Sequence, residues 1–202
     1  MKTTGEKYMK LLSLKKAQIC KFLTPYKASY ENAEGKRKEY ELVSRNKNLT
    51  MESFGHSRSE AVGMIVFNND MTKILLQQEY RLACNNWVYN FPGGLIEDGE
   101  DTITAARREL KEETGLNMTN VIYVMPSSYT AVGISDEQVD TVVCQADGTF
   151  SQSTSVNEEI VAGWYSKEKI KELLGYALMS QRTQSVLWMW CYGQTLIKPE
   201  RW

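Results

Sequence analysis

Histidine is nearly missing from this chain, and its scarcity closes several routes to chemistry. The single copy, His56, lies in the polar stretch between Gly55 and Ser57 and reads as a loop residue. Without a second histidine, a histidine-based zinc site lacks ligands, and no cysteine–histidine nucleophile pair is suggested. The four cysteines, Cys20, Cys84, Cys144 and Cys191, stand far apart with no C-x-x-C pair. Neither a zinc site nor a disulfide framework is indicated, and a reducing cytoplasm fits best. Long apolar runs are absent too. The longest, 61–67, falls far short of the roughly twenty residues that a membrane-spanning helix needs. Residues 1–24 carry lysines throughout and no sustained apolar stretch before a cleavage site, so the chain is expected to be soluble and unexported. Nor does one sign of charge dominate. The formal net charge of −1 supplies no broad basic field for nucleic acid. A length of 202 residues favours one domain, with or without an extension, and suffices for a sizeable core.

The chain does have a concentration of glycines and carboxylates between Gly93 and Leu116. Gly94 is followed after five residues by Glu100, and after seven more by Arg108, Glu109, Leu110, Glu112, Glu113, Gly115 and Leu116. On a helical wheel at about 100° per residue, Glu112 falls about 60° to one side of Glu109 and Glu113 about 40° to the other. The three carboxylates therefore share one face, where like charges at these spacings repel by a few tenths of a kcal/mol each. A hard divalent cation would reverse that sign, since magnesium is commonly held by one or two carboxylates together with substrate phosphates. Glu100 and Arg108 stand at the two ends of the loop-to-helix segment and are expected to pair, fixing the loop over the helix. Gly93, Gly94 and Gly99 permit tight turns, and Gly115 stands where a helix would end on a left-handed cap. A solvated acidic face is the ordinary account of a charge run. It leaves the glycines, Arg108 and Glu100 unexplained.

Along the rest of the chain, residues 5–23 show a loosely helical apolar pattern ending before Pro25. Segments 26–30 and 37–45 read as strands around a turn at 32–35, and 61–67 and 73–80 as stronger strands joined by a turn at Asn68, Asn69 and Asp70. A short strand over 88–91 delivers Pro92, Gly93 and Gly94 to the acidic helix. After it come strands at 121–125 and 138–144 around a polar loop at 127–137. A mobile loop is expected over 146–159, then a strand at 160–165 and helices at 167–174 and 181–192. Strands on both sides of one strongly marked helix suggest a mixed sheet with helices against its faces.

The spacing from Gly94 to Leu116 resembles the Nudix hydrolase signature at each of its defined positions. The resemblance implies an α/β (α+β) fold, the alpha/beta/alpha sandwich with a mixed sheet. It divides the chain into 1–58, an N-terminal helix and strands expected to serve dimerisation, and 59–202, the Nudix domain. It further implies Mg²⁺ or Mn²⁺ held by Glu109, Glu112, Glu113 and the backbone carbonyl of Gly93, with Gly94 beside the substrate. The implied reaction is attack of water on one phosphorus of a nucleoside diphosphate linked to another moiety. The proton acceptor is Glu109 or another glutamate of the helix, or else Glu158 or Glu159 from the loop.

Looser similarity over about 20–195 points to the ADP-ribose pyrophosphatase branch. It lies in 22–46, 77–81, 133–137 and the Glu158, Glu159 pair. Val132 and Asn90 depart from that branch, where a proline and a glutamate are common. Arg81 can offer a planar fork of donors to phosphate, and Glu137 lies in the substrate-side loop. Tyr80, Trp87 and Tyr89 are either adenine platforms or buried core rings. The expected partners are a small nucleotide substrate and a second copy of the chain, with neither membrane nor nucleic acid. Nucleotide sugars, dinucleotides such as NADH, nucleoside triphosphates and capped RNA share the chemistry. A non-catalytic nucleotide-sugar sensor on the same fold is the alternative of a different class.

Overall fold

The computed structural model describes residues 10–18, 20–56, 58–154 and 159–196, and in it the chain divides into two units. The first takes in 1–60 together with 127–139, and the second 61–126 with 140–202.

In the first unit, β1 (Lys10–Lys16), β2 (Thr24–Glu31) and β3 (Arg37–Ser44) form an antiparallel sheet in that order. The turn between β2 and β3 forms because Asn32 Oδ1 accepts from the amides of Glu34 (3.0 Å) and Lys36 (2.9 Å), while Gly35 takes φ 78°. The helix expected over 5–23 is overturned where it is described, since Lys10–Lys16 is a strand. Leu14 sits opposite Ala28 and joins the small core of Tyr26, Ala28 and Leu42. Pairing with β2 places Leu14 on that core, whereas a lone, weakly amphipathic helix has no packing to offset its nucleation cost. Residues 1–9 and Ile19 lie outside the described residues. The 127–139 segment joins this unit through Val43 N–H donating to the Ile134 carbonyl (2.9 Å).

The elements that follow are β4 (Ala61–Phe67), β5 (Lys73–Arg81), β6 (Asn86–Asn90), β7 (Gly93–Leu95), α1 (Thr102–Thr114), β8 (Asn117–Tyr129), β9 (Gln138–Asp147), β10 (Ile160–Ser166), α2 (Lys167–Leu173) and α3 (Gln181–Leu196), all in the second unit except 127–129 of β8 and 138–139 of β9. The strands make one mixed sheet in the order β10-β5-β4-β9-β8, with β6 paired to β5 and β7 to β4. Alternation along the central strands sends side chains to both faces. Val62, Met64, Val66 and Leu75 pack with Ala105, Ala106 and Leu110 of α1. Ile65, Ile74 and Leu76 pack on the opposite face with Ile170, Leu173 and Leu187 of α2 and α3. The result is the expected sandwich.

Several elements outrun their expected limits, among them α3, which runs to Leu196. β8 extends to Tyr129, and β9 to Asp147. The described part of the expected mobile loop is tied down: the amides of Ser151 and Thr154 donate to the carbonyls of Thr114 (3.0 Å) and Glu112 (3.1 Å), capping the last turn of α1. Among the described residues no helix is long and apolar enough to cross a membrane.

Candidate active site

α1 begins where Asp101 Oδ1 accepts from the Thr104 amide at 2.8 Å, and ends where Gly115 takes φ 79° and its N–H reaches the Lys111 carbonyl at 2.9 Å. Between these caps, Ala105, Ala106 and Leu110 are fully buried against the sheet, which fixes the rotation of the helix. The charged positions are placed by that rotation.

β7 runs antiparallel to β4, with Gly94 opposite Val62 and Gly93 opposite Gly63. A methyl on Gly93 would overlap the Val62 carbonyl, and one on Gly94 would overlap the Glu109 carboxylate. Glu109 therefore lies directly over the Gly94 backbone, which only glycine allows. Gly94→Ala is expected to push Glu109 aside and lower turnover about tenfold with a small change in melting temperature. A substrate assay beside a thermal melt checks this, and unchanged turnover would contradict the placement.

Arg108 is the hub of the loop side. Its Nε and Nη2 grip Glu100 at 2.9 and 2.8 Å, Nη2 also donates to the Leu95 carbonyl (2.9 Å), and Nη1 meets Glu109 (2.8 Å) and Glu112 (3.4 Å). The pairing of Glu100 with Arg108 expected from the sequence is thus present, as a bidentate fork. Arg108 and the amide of Glu97 hold the Glu100 carboxyl down at about 2, and the surrounding carboxylates raise the guanidinium above its ordinary value. A protein cation already offsets part of the crowding on the helix.

Glu113 has a different setting. It is only 7% exposed, and each carboxylate oxygen has its own tether: Gln77 Nε2 donates to Oε1 (3.3 Å) and the Gly93 amide to Oε2 (3.1 Å). Burial pushes its pKa up to about 8 despite those two donors, with Glu109 and Glu79 adding to the rise. The shared face therefore splits: Glu113 turns into the sheet, Glu109 lies over Gly94, and Glu112, half-exposed, meets Arg108. Among the described residues no three His, Cys, Asp or Glu side chains are gathered into a ready-made metal cluster.

The remaining expected residues are more scattered. Arg81 ends β5, half-exposed, and its Nη1 pairs with the buried Glu79. Glu137 belongs to the first unit, where its carboxylate takes Arg45 Nε (2.7 Å) and the Thr130 hydroxyl (2.9 Å). Glu159 is exposed, and its carbonyl accepts from the Tyr80 amide (3.1 Å). Glu158 lies outside the described residues. Tyr80 and Trp87 meet edge to face at 5.6 Å on the β5–β6 hairpin, while Tyr89 packs at 6.0 Å on Tyr165 in the core. Gln77 and Glu79 were not among the expected site residues. Their one signal is the break of polar side chains into an otherwise apolar buried strand.

A glycine turn and strand facing a carboxylate-bearing helix, on a sheet covered by helices on both sides, define a sandwich built around an acidic box. The chain belongs to the Nudix family: the family's NUDIX domain pattern matches residues 57–184. It is 29% identical over 156 residues to an ADP-ribose pyrophosphatase of Saccharomyces cerevisiae, a match covering 75% of this chain and 64% of that protein. It is 35% identical over 101 residues to putative nudix hydrolase 2 of Caenorhabditis elegans, covering 50% of this chain and 44% of that protein. The matched region thus spans less than two thirds of the length of either relative. A solved structure described as an ADP compounds hydrolase shares the fold, with a TM-score of 0.72 at 21% identity over 95% of this chain and 98% of that one.

Proposed function

We propose that this protein is a divalent-cation-dependent hydrolase that cleaves the diphosphate of nucleoside diphosphate-X compounds, with ADP-ribose as the first candidate and related nucleotide sugars beside it. The observation that carries the reading is the setting of Glu113: a buried carboxylate held by Gln77 and Gly93, with Glu109 stacked on Gly94 beside it. A charge-bearing group in such a place costs stability unless a cation compensates it. Two relatives described as ADP-ribose pyrophosphatases, from Saccharomyces cerevisiae and Bacillus subtilis, support the choice of substrate.

The donor set suits a hard cation. Gln77 Oε1 is buried and meets no donor among the described residues, and the groups beside it, the Glu109 and Glu113 carboxylates and the Gly93 carbonyl, offer oxygen. Magnesium is commonly held by a few carboxylates, with waters and substrate phosphates completing its shell. Glu109, Glu112 and Glu113, with the Gly93 carbonyl, would hold Mg²⁺ or Mn²⁺. A bound ion would neutralise phosphate oxygens and lower the pKa of a bound water. The chain's own groups do the rest. Gly94 lets the backbone approach the diphosphate closely, and Arg108 with Glu100 keeps the 95–100 loop against α1. The fork of Arg81 is suited to a phosphate oxygen. The water's proton passes to Glu109 or to a loop glutamate, Glu158 or Glu159. Cleavage of ADP-ribose this way gives AMP and ribose 5-phosphate.

A panel of ADP-ribose, ADP-glucose, UDP-glucose, NADH, diadenosine polyphosphates and nucleoside triphosphates tests this, with phosphate measured after coupled phosphatase treatment. ADP-ribose is expected to be turned over with divalent ion and not after chelation. No release across the panel would replace the enzyme by a nucleotide-sugar sensor. We also assign the N-terminal region, 1–58, to homodimer contact and the chain to the cytoplasm. Light scattering should give twice the 23.1 kDa chain mass, and a monomer would contradict the dimer.

A further inference from the structure

Leu75, Gln77, Glu79 and Arg81 alternate along β5 and so share one face of the strand. On that face Leu75 is fully buried in the core that includes Leu110 of α1. The next position on the same face, where an apolar side chain would continue the packing, is Gln77 at 1% exposure. Its Nε2 donates to Glu113 Oε1 at 3.3 Å, and its own Oε1 meets no donor among the described residues. A buried carbonyl left in that condition costs about 1–3 kcal/mol, which offsets the Nε2 bond to Glu113 that a leucine there would give up. Folding stability therefore does not account for a glutamine at this place.

Its geometry supplies another reason. The Gly93 amide holds Glu113 Oε2 at 3.1 Å, so the backbone fixes one carboxylate oxygen and Gln77 the other. Two tethers set the plane of the carboxylate, which a single tether would leave free to rotate. Groups that orient ion-binding side chains in this way commonly matter for affinity almost as much as the ligands do.

We propose that Gln77 is a positioning residue: its amide nitrogen orients the Glu113 carboxylate, and its carbonyl oxygen accepts from an O–H donor that enters with the divalent ion. The proposal rests on the reading of the site given above. A glutamine serving only to fill the core would influence melting and leave ion affinity alone.

The test is Mn²⁺ binding to the full chain by calorimetry, for the parent protein and Gln77→Leu. The dissociation constant of Gln77→Leu is expected to rise roughly 10- to 100-fold. With ADP-ribose, kcat should fall while KM moves little, and the metal-free melting temperature should change little. Mn²⁺ affinity within about twofold of the parent, with parent-like kcat, would overturn the proposal. Should Gln77→Leu fail to fold, the side-chain amide ¹⁵N–¹H signals of Gln77 in the parent provide the readout. They are expected to shift on Mg²⁺ addition, and unmoved signals at saturating Mg²⁺ would overturn it. A parent that takes up no divalent ion removes the reading of the site and this inference with it. A parent that binds Mn²⁺ no more tightly than Gln77→Leu removes this inference alone.

Discussion

Glu113→Gln is expected to lower kcat by about 10³-fold or more while making the metal-free protein more stable at alkaline pH. The two effects have one cause. Glu113 is an ionisable group in a place that favours its neutral form, with a pKa pushed up from 4.5 to about 8. Between those two values the folded protein binds the proton more tightly than the unfolded chain. The stability of chelator-treated protein therefore falls as pH rises through that window and levels off above it. Below the window the group is neutral in both states and contributes nothing. The full fall is on the order of 3–5 kcal/mol. In the variant, the carbonyl of the introduced amide keeps the Gly93 N–H bond. Its nitrogen donates to Gln77 Oε1 once the Gln77 amide turns end for end. The Gln77 nitrogen then takes the unpartnered place that its oxygen held, so the number of orphans is unchanged, and with no ionisable group left the pH slope should vanish. Urea melts at about pH 5 and about pH 8.5, in the presence of chelator, measure it. A variant with parent-like turnover, or one that loses stability at the higher pH, would contradict the role given to this carboxylate.

Arg108→Ala should cost about 10²-fold in kcat/KM and lower the melting temperature by roughly 5 °C. Its fork is the link between the 95–100 loop and α1, through both oxygens of Glu100 and the Leu95 carbonyl, and it also sits between Glu109 and Glu112. Removing it releases the loop and leaves three carboxylates without their common partner. Arg108→Lys should recover little, because an ammonium cannot span Glu100 in two bonds while donating to a backbone carbonyl and two further carboxylates. Circular dichroism melts with steady-state kinetics decide this, and a lysine variant matching the parent would show that charge alone suffices.

The acidic helix was legible because its requirements are local. Asp101 and Gly115 mark its ends by capping chemistry, and Ala105, Ala106 and Leu110 set its buried side. Arg108 with Glu100 followed from spacing across a loop. What the sequence hid depends on contacts between distant segments. Leu11, Leu12 and Leu14 suit a helix or a strand, and pairing of β1 with β2 decides between them. Gly93 and Gly94 read as a turn, yet they form β7 because β4 offers them an edge. The wheel put Glu109, Glu112 and Glu113 on one face, but their surroundings separate them: strand β5 draws Glu113 inward through Gln77, and Arg108 engages Glu109 and Glu112. No pattern within α1 reveals Gln77, because its partner lies 36 residues away.

The central claim is that a divalent cation joins this helix to a bound diphosphate, and mutual tightening of ligand and ion tests it most directly. Mn²⁺ should be titrated by electron paramagnetic resonance with and without a methylene-bridged, non-hydrolysable ADP-ribose analogue. The account predicts that the analogue strengthens Mn²⁺ binding at least about tenfold, and that Mn²⁺ strengthens analogue binding by the same factor. Both gains should be absent in Glu113→Gln. Independent binding of ion and analogue to the parent protein, or equal coupling in the variant, would contradict it.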